Sequence, residues 1–398
     1  MSQNPLSLPS SAVRTWRTRL SAVALAALTL TAAASGSTAA QPNPADGTII
    51  AAHQITPFGL PVPAKAWQLS FTSQDGNNRP TTGKTTIIEP DTPWTGPGAR
   101  PLVSWQVAED SLGSHCAPSY TLERDLVSGF NPSTIESALA VMALQRNWAV
   151  AYPDVQGPQA RFLDKTQAAH AILDGVRAAK TFAPAGLSDS PVALLGYSGG
   201  AMVSLWAEQE LPRYAPELEL AGIAVGGMPV QLNDEFDHVS GTVYAGIGLL
   251  GIAAIHRIAP EADIPALLND RGKHMLAETA NYCLTDFMIK YPFANINDYT
   301  AVPNIFHSPR VQAVTQDLGQ QPSMPPRTPT YYWQSALDDI LPIESTDRLV
   351  HSWCQAGGQV TYARLTIPGH GLPDLAHLPP AFDFLGDRFA DATPPPCG

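Results

Sequence analysis

The sequence predicts an α/β fold: a mostly parallel sheet covered by helices on both faces, with a helical cap inserted late in the chain. Three observations carry this expectation. Short β-branched and aromatic runs at 101–107, 148–152, 192–195, 220–225, 330–334 and 360–367 alternate for the most part with helix-like segments, as βαβ crossovers require. The run 192–195 leads without a gap through Gly196-Tyr197-Ser198-Gly199-Gly200 into a helix-prone stretch at 201–210. Finally, about 100 residues separate Gly226-Gly227 from the strand starting at Thr330, far more than a crossover needs, and that excess signals an insertion.

The first segment does not belong to the fold. Arg14, Arg17 and Arg19 precede the apolar run 20–34, and the small residues Ser37, Thr38, Ala39 and Ala40 follow, which is the pattern of a secretory signal peptide. The alternative, a membrane anchor, fits less well because the run is short, Ala-rich and followed by Pro42. The expected organisation is therefore a signal peptide at 1–40, a core made of 41–229 and 306–398, and a cap at 230–305. The mature chain is expected to be secreted and to carry no transmembrane segment.

Of the 398 residues, 44% are hydrophobic and 15% charged, ample for a sizeable core and too few charges for a disordered chain. Loss of three arginines and no acid moves the formal charge from −12 to −15, and no Lys/Arg cluster remains, so the composition points away from nucleic acid. Export places Cys116, Cys283, Cys354 and Cys397 in an oxidising compartment, where an even count suggests two disulfides with all three pairings open. No C-x-x-C or Cys/His spacing typical of a zinc site occurs.

In chain order, the strand at 101–107 runs into the loop Ala108-Glu109-Asp110-Ser111. A helix at 164–180 starts from Asp164 as cap and ends before Phe182 to Pro184. In the cap, the apolar run 243–255 contains Gly246, Gly248 and Gly251. It is too short to span a bilayer and suits either a mobile helix over a pocket or a buried cap helix. A last helix, 343–356, stops at Gly357-Gly358, and proline concentrates at the two ends, 41–64 and 393–397.

Chemistry concentrates at the G-x-S-x-G turn. There a serine in a strained conformation pushes its hydroxyl out over the end of a sheet, and glycines two residues before and after leave room for the backbones to pass. The following helix aims its free N–H groups at any oxyanion formed beside Ser198. A serine hydroxyl needs a base, and the base needs an acid to hold its tautomer. His370 alone follows a convincing late strand, in the loop Pro368-Gly369-His370-Gly371, whereas His377 lies in a helix-like context. After the strand 330–334, Asp338 is the favoured acid and Asp339 the fallback. The oxyanion donors would be Gly199 and the loop after strand 101–107. Nucleophile, acid and base in this order describe a hydrolase and argue against a non-catalytic binding protein.

Several motifs extend the reading: Trp105 to Ser111 with Cys116-Ala117-Pro118-Ser119-Tyr120, Tyr152-Pro153-Asp154-x-x-Gly157-Pro158, Leu173-Asp174-Gly175-Val176-Arg177-Ala178, and Gly196 to Ala201. Together they resemble the secretory lipases of the yeast lipase A type. The resemblance implies an α/β-hydrolase with a helical lid that hydrolyses triacylglycerols and other esters without metal or cofactor, meeting the lipid–water interface through its cap. Carried over residue by residue, it implies Ser198 as nucleophile, Asp338 as acid, His370 as base, and the N–H groups of Asp110 and Gly199 as oxyanion donors. It further implies that Cys116 pairs with Cys283 and Cys354 with Cys397. Gln156 stands where the resemblance leads one to expect an acid, and Asp154 is expected to be a structural loop acid. The rival reading is a secreted serine esterase or peptidase acting on non-lipid substrates, distinguished by whether the pocket is a long apolar tunnel or an open polar cleft.

Overall fold

The computed structural model describes residues 45–60, 62–124, 132–319 and 324–398; the expected signal peptide lies outside the described residues. The strands are β1 (Ile49–Ile55), β2 (Ala64–Gln74), β3 (Pro80–Pro90), β4 (Leu102–Gln106), β5 (Ala149–Pro153), β6 (Val192–Tyr197), β7 (Leu220–Gly226), β8 (Thr330–Ser335) and β9 (Val360–Leu365). They form one sheet in the order β1-β2-β3-β5-β4-β6-β7-β8-β9. From β5 to β9 every pairing is parallel, while β1, β2, β3 and β5 pair antiparallel.

The six expected runs all fall on strands of the parallel part. The antiparallel strands β1 to β3 were not anticipated, although Trp67, Leu69 and Phe71 in β2 repeat with the period of a strand.

The parallel strands read as continuous apolar runs because both faces are covered. Leu102 and Leu194 face one cluster, which includes residues of helices α4 (Lys165–Thr181), α5 (Gly199–Tyr214) and α11 (Ile343–Gln355). Val103, Trp105, Ala193 and Leu195 face the other, built with α3 (Val141–Gln145) and α12 (Gly371–Phe389). Trp105 meets Phe382 of α12 edge-on at 5.7 Å. Each fully buried Leu or Val in these clusters contributes about 2 kcal/mol through removal of apolar surface from water. Asp164 caps α4, its carboxylate accepting the Gln167 N–H at 3.1 Å.

Between β7 and β8 the chain forms α6 (Leu232–His238), α7 (Ala245–Ile258), α8 (Asp270–Glu278), α9 (Leu284–Lys290) and α10 (Pro309–Thr315), joined by short 3₁₀ turns. Two very short helices, α1 (Pro118–Leu122) and α2 (Pro132–Ala138), lie between β4 and β5.

The apolar run at 243–255 forms most of α7. Its glycines make close helix contacts: a Cβ on Gly246 would overlap the Phe287 carbonyl of α9, and one on Gly251 would press on the Phe236 ring of α6 at 2.7 Å. The helix is buried on nearly all sides, and only a strip bearing Ile247 and Leu250 turns to a cavity against the core. Most of its surface is buried against neighbouring helices.

Cys116 pairs with Cys283 and Cys354 with Cys397. The first bond ties the segment after β4 to the start of α9, and the second fastens the chain end to α11. Among the described residues no helix is long and apolar enough to cross a membrane.

Candidate active site

Ser198 occupies the bend between β6 and α5 with φ +53° and ψ −123°. A non-glycine residue held in such a conformation costs about 1–3 kcal/mol, so the surrounding structure must impose it. It does so with hydrogen bonds and close packing. The Ser198 N–H donates to the Gly226 carbonyl at 2.9 Å, and the Met202 N–H donates to the Ser198 carbonyl at 3.2 Å. A side chain on Gly196 would overlap the Gly200 carbonyl, and one on Gly200 would overlap the Gln106 carbonyl of β4. Both glycines are therefore required by close approach, as the motif predicts.

His370 is presented at the start of α12, just after Gly369 turns the chain with φ +81°. Its Nδ1 lies 2.8 Å from Asp338 Oδ2. The other oxygen of Asp338 accepts the N–H groups of Ile340 and Leu341, each at 2.9 Å. A fully buried carboxylate held by three donors orients the ring and fixes its tautomer: Nδ1–H donates to Asp338 and Nε2 carries the lone pair. That Nε2 is buried and has no protein partner. Asp339 points elsewhere and accepts the Tyr244 hydroxyl of the cap at 2.9 Å. The Tyr197 hydroxyl donates to the His370 carbonyl at 2.6 Å and so anchors the base from the elbow itself.

Ser198 and His370 line one cavity of ≈730 Å³ between core and cap. Its apolar walls include Leu232 and Phe236 of α6, Ile247 and Leu250 of α7, and Leu284 and Met288 of α9. Its polar walls carry Asp110, Glu136, Glu235 and Asp374, with no Lys or Arg among the lining residues. Desolvation pushes Asp110, Glu235 and Asp374 each up to about 7, and holds Glu136 well above the usual carboxylate range, raised further by Asp374. Ile135 of α2 and Leu372 and Leu375 of α12 line the cavity and yet remain 43%, 61% and 48% exposed, forming an apolar rim.

The oxyanion loop departs in one detail from the expectation. With its amide oriented so that both ends find partners, Gln156 accepts the Asp110 N–H at 2.9 Å and the Ser111 N–H at 3.1 Å, and donates to the Ser111 carbonyl at 2.5 Å. The Asp110 N–H, expected as an oxyanion donor, is thus turned to Gln156. The Asp110 carboxyl instead lies against Gly199, where an added Cβ would overlap it. Asp110 has φ +30°, a strained value for a residue with a side chain. Sequence reading did not assign Gln156, Glu136, Glu235 or Asp374 to the site; the oddity of an amide at position 156 was the one visible signal.

The remaining candidates fall outside the cavity wall. Asp154 accepts the Ser119 N–H at 2.9 Å and the Ser119 hydroxyl at 2.6 Å, a structural role. His377 bonds the Tyr331 hydroxyl at 3.0 Å. Among the described residues one group of potential metal-ligating side chains occurs, His115 with Cys116 and Cys283, and its two sulfurs are joined in a disulfide.

Comparisons with known proteins give the family and the fold. The secretory lipase family model matches residues 128–395. A secreted triacylglycerol lipase of Malassezia furfur, LIP1, is 32% identical over 340 residues, covering 82% of this chain and 68% of its own. A Mycobacterium tuberculosis protein named as a probable inactive lipase is 31% identical over 339 residues, 83% of this chain and 75% of that one. The crystal structure of Candida antarctica lipase A superimposes with a TM-score of 0.79 at 28% identity, covering 89% of this chain and 84% of that one.

Proposed function

Because the chain belongs to the secretory lipase family, we propose that Ser198, His370 and Asp338 carry out the ester hydrolysis that membership implies. The protein is a secreted carboxylic ester hydrolase of the α/β-hydrolase fold. Its substrates are fatty-acid esters, triacylglycerols among them. One observation carries the residue assignment: an unpartnered, buried His370 Nε2, held by Asp338, in the wall of the same apolar cavity as Ser198.

In the first half-reaction Ser198 Oγ attacks the ester carbonyl and His370 Nε2 takes its proton, while Asp338 stabilises the imidazolium. The imidazolium then protonates the leaving alcohol. Water, activated by the same Nε2, attacks the acyl-enzyme, releasing the fatty acid and restoring Ser198. The oxyanion is held by the Gly199 N–H at the start of α5 and by the Asp110 carboxylic acid, which donates while protonated. Such a donor stabilises the transition state by about 3–4 kcal/mol.

Residues 230–305 are assigned as the cap, supplying most of the acyl-binding wall through α6, α7 and α9. The rim of Ile135, Leu372 and Leu375, which belongs to the core by these bounds, meets the lipid–water interface beside the cap. The apolar lining favours acyl chains over peptides or glycosyl esters. The test is Ser198→Ala, which lowers kcat on p-nitrophenyl esters by at least about 10⁴-fold and abolishes fluorophosphonate labelling, with an unchanged thermal transition. Retained activity in that variant would overturn the assignment.

A further inference from the structure

Gln156 does not itself line the cavity, yet it makes three hydrogen bonds to Asp110, which does, and to the neighbouring Ser111. We propose that Gln156 is the positioning residue of this active site: a neutral amide that locks the Asp110–Ser111 backbone so that the Asp110 carboxyl, not its N–H, faces Gly199. The inference rests on Ser198 being the nucleophile.

Three features of the geometry converge on it. The side chain is almost fully buried behind the loop, so its bonds do not compete with water. Asp110 sits at φ +30°, a conformation that persists only where neighbours impose it, and the bond from its own N–H to Gln156 is the constraint within reach. Ser111, held at both N–H and carbonyl by Gln156, also joins the loop to the cap: its hydroxyl donates to the Glu109 carbonyl and accepts the Leu284 N–H of α9 at 3.1 Å. One side chain thereby sets the loop from the core side while the cap holds it from the other.

Neutrality is part of the role. The neighbouring ionisable groups are Glu109 and Asp110 on the loop and Asp154 beyond β5, with Lys84 of β3 near Asp154, and His370 and Glu136 near Asp110. A carboxylate at position 156 would add charge to a buried acidic group and would have no proton to give the Ser111 carbonyl. An amide meets two donors and one acceptor at zero charge. A protonated carboxylic acid has the same donor and acceptor set, and that equivalence supplies the test.

Two variants are assayed on a soluble p-nitrophenyl ester, with fluorophosphonate labelling and a thermal melt as controls. Gln156→Leu removes all three bonds and lowers kcat about thirtyfold or more with KM within about threefold, at every pH. Gln156→Glu, read as its kcat relative to the parent enzyme, is close to parity near pH 5 and falls about tenfold or more by pH 8, following the loss of one proton. A packing role alone would give a ratio independent of pH. Parent-like kcat in Gln156→Leu, or a flat ratio for Gln156→Glu, overturns the proposal. Failure of the parent enzyme to label would instead overturn the reading of Ser198, so the two failures are distinguishable.

Discussion

At the scale of single residues, the site depends on which protonation state each buried group keeps. In the proposed mechanism His370 works as a base because Asp338 takes the proton side of its ring and leaves Nε2 free. Asp110 works the opposite way: withdrawn from bulk water, its carboxyl is pushed up to about 7 and can donate only while protonated. As pH rises through that value the donor is lost and a negative charge appears beside the developing oxyanion, so kcat falls on the alkaline side. Asp110→Asn keeps a donor that does not ionise; it is expected to remain within about tenfold of the parent near neutrality and to lose the alkaline limb associated with that group. Asp110→Ala removes the donor and costs about 10²–10³ in kcat. A pH–rate profile of Asp110→Asn with the alkaline limb intact would show that Asp110 is not the group responsible.

At the scale of elements, the oxyanion loop and the cap are fastened to one another rather than merely adjacent. The Cys116–Cys283 disulfide joins them, and Leu112 donates its N–H to the Tyr282 carbonyl at 2.8 Å. Arg257, in the last turn of α7, donates to the carbonyls of Leu112 at 2.6 Å, Ala160 at 2.9 Å, Gln159 at 3.2 Å and Ala280 at 2.5 Å. Movement of this side of the cap would therefore disturb the oxyanion loop. Elsewhere Tyr244 donates its hydroxyl to Asp339, and His307 and Arg310 pair with Asp237 and Asp263. The apolar rim belongs in part to α12, which His370 caps at its N-terminus, so the proposed docking at a lipid surface and the proposed base would involve one helix. Replacing Leu372 and Leu375 together by Ser should weaken adsorption to emulsified triacylglycerol by about 2 kcal/mol, roughly thirtyfold, and leave soluble-ester turnover nearly unchanged. Equal losses on both substrates would remove the rim from the account of interface binding.

For the whole molecule, the buried acids couple stability to pH. Asp110, Glu235 and Asp374 are each raised to about 7 and Asp154 to about 6, all chiefly by burial. The folded chain therefore binds these protons more tightly than the unfolded chain, whose carboxyls titrate near about 4. Between those values the unfolded state holds fewer protons, so stability is full below about pH 4, declines as pH rises towards 7, and levels off above. His170 and His377, lowered by burial, and Asp75, Glu217 and Glu278, lowered by their hydrogen-bond partners, act in the opposite sense at acid pH, but the raised acids, which also include Glu109, Glu136, Asp174 and Glu208, outnumber them. The melting temperature is thus expected to be higher near pH 5 than near pH 8, and Asp374→Asn should flatten the slope. A melting temperature that rises across this interval would contradict the assignment.

The sequence by itself determined the α/β fold class, the parallel half of the sheet and the elbow between β6 and α5. These are local properties: buried strands read as apolar runs, and the elbow at Gly196 to Gly200 requires glycines wherever it occurs. The antiparallel strands β1 to β3 were less legible because their signal is a weak alternation, and the sequence favoured Asp338 over Asp339 without supplying the geometry that separates them. Two adjacent carboxylates are equivalent until the chain folds, and only the loop geometry turns one towards His370 and the other towards Tyr244. The same holds for Gln156, Glu136, Glu235 and Asp374, which no local pattern marks as belonging to an active site. Their roles arise from burial beside residues distant along the chain, and burial, which sets both charge state and hydrogen-bond direction, exists only in the tertiary structure.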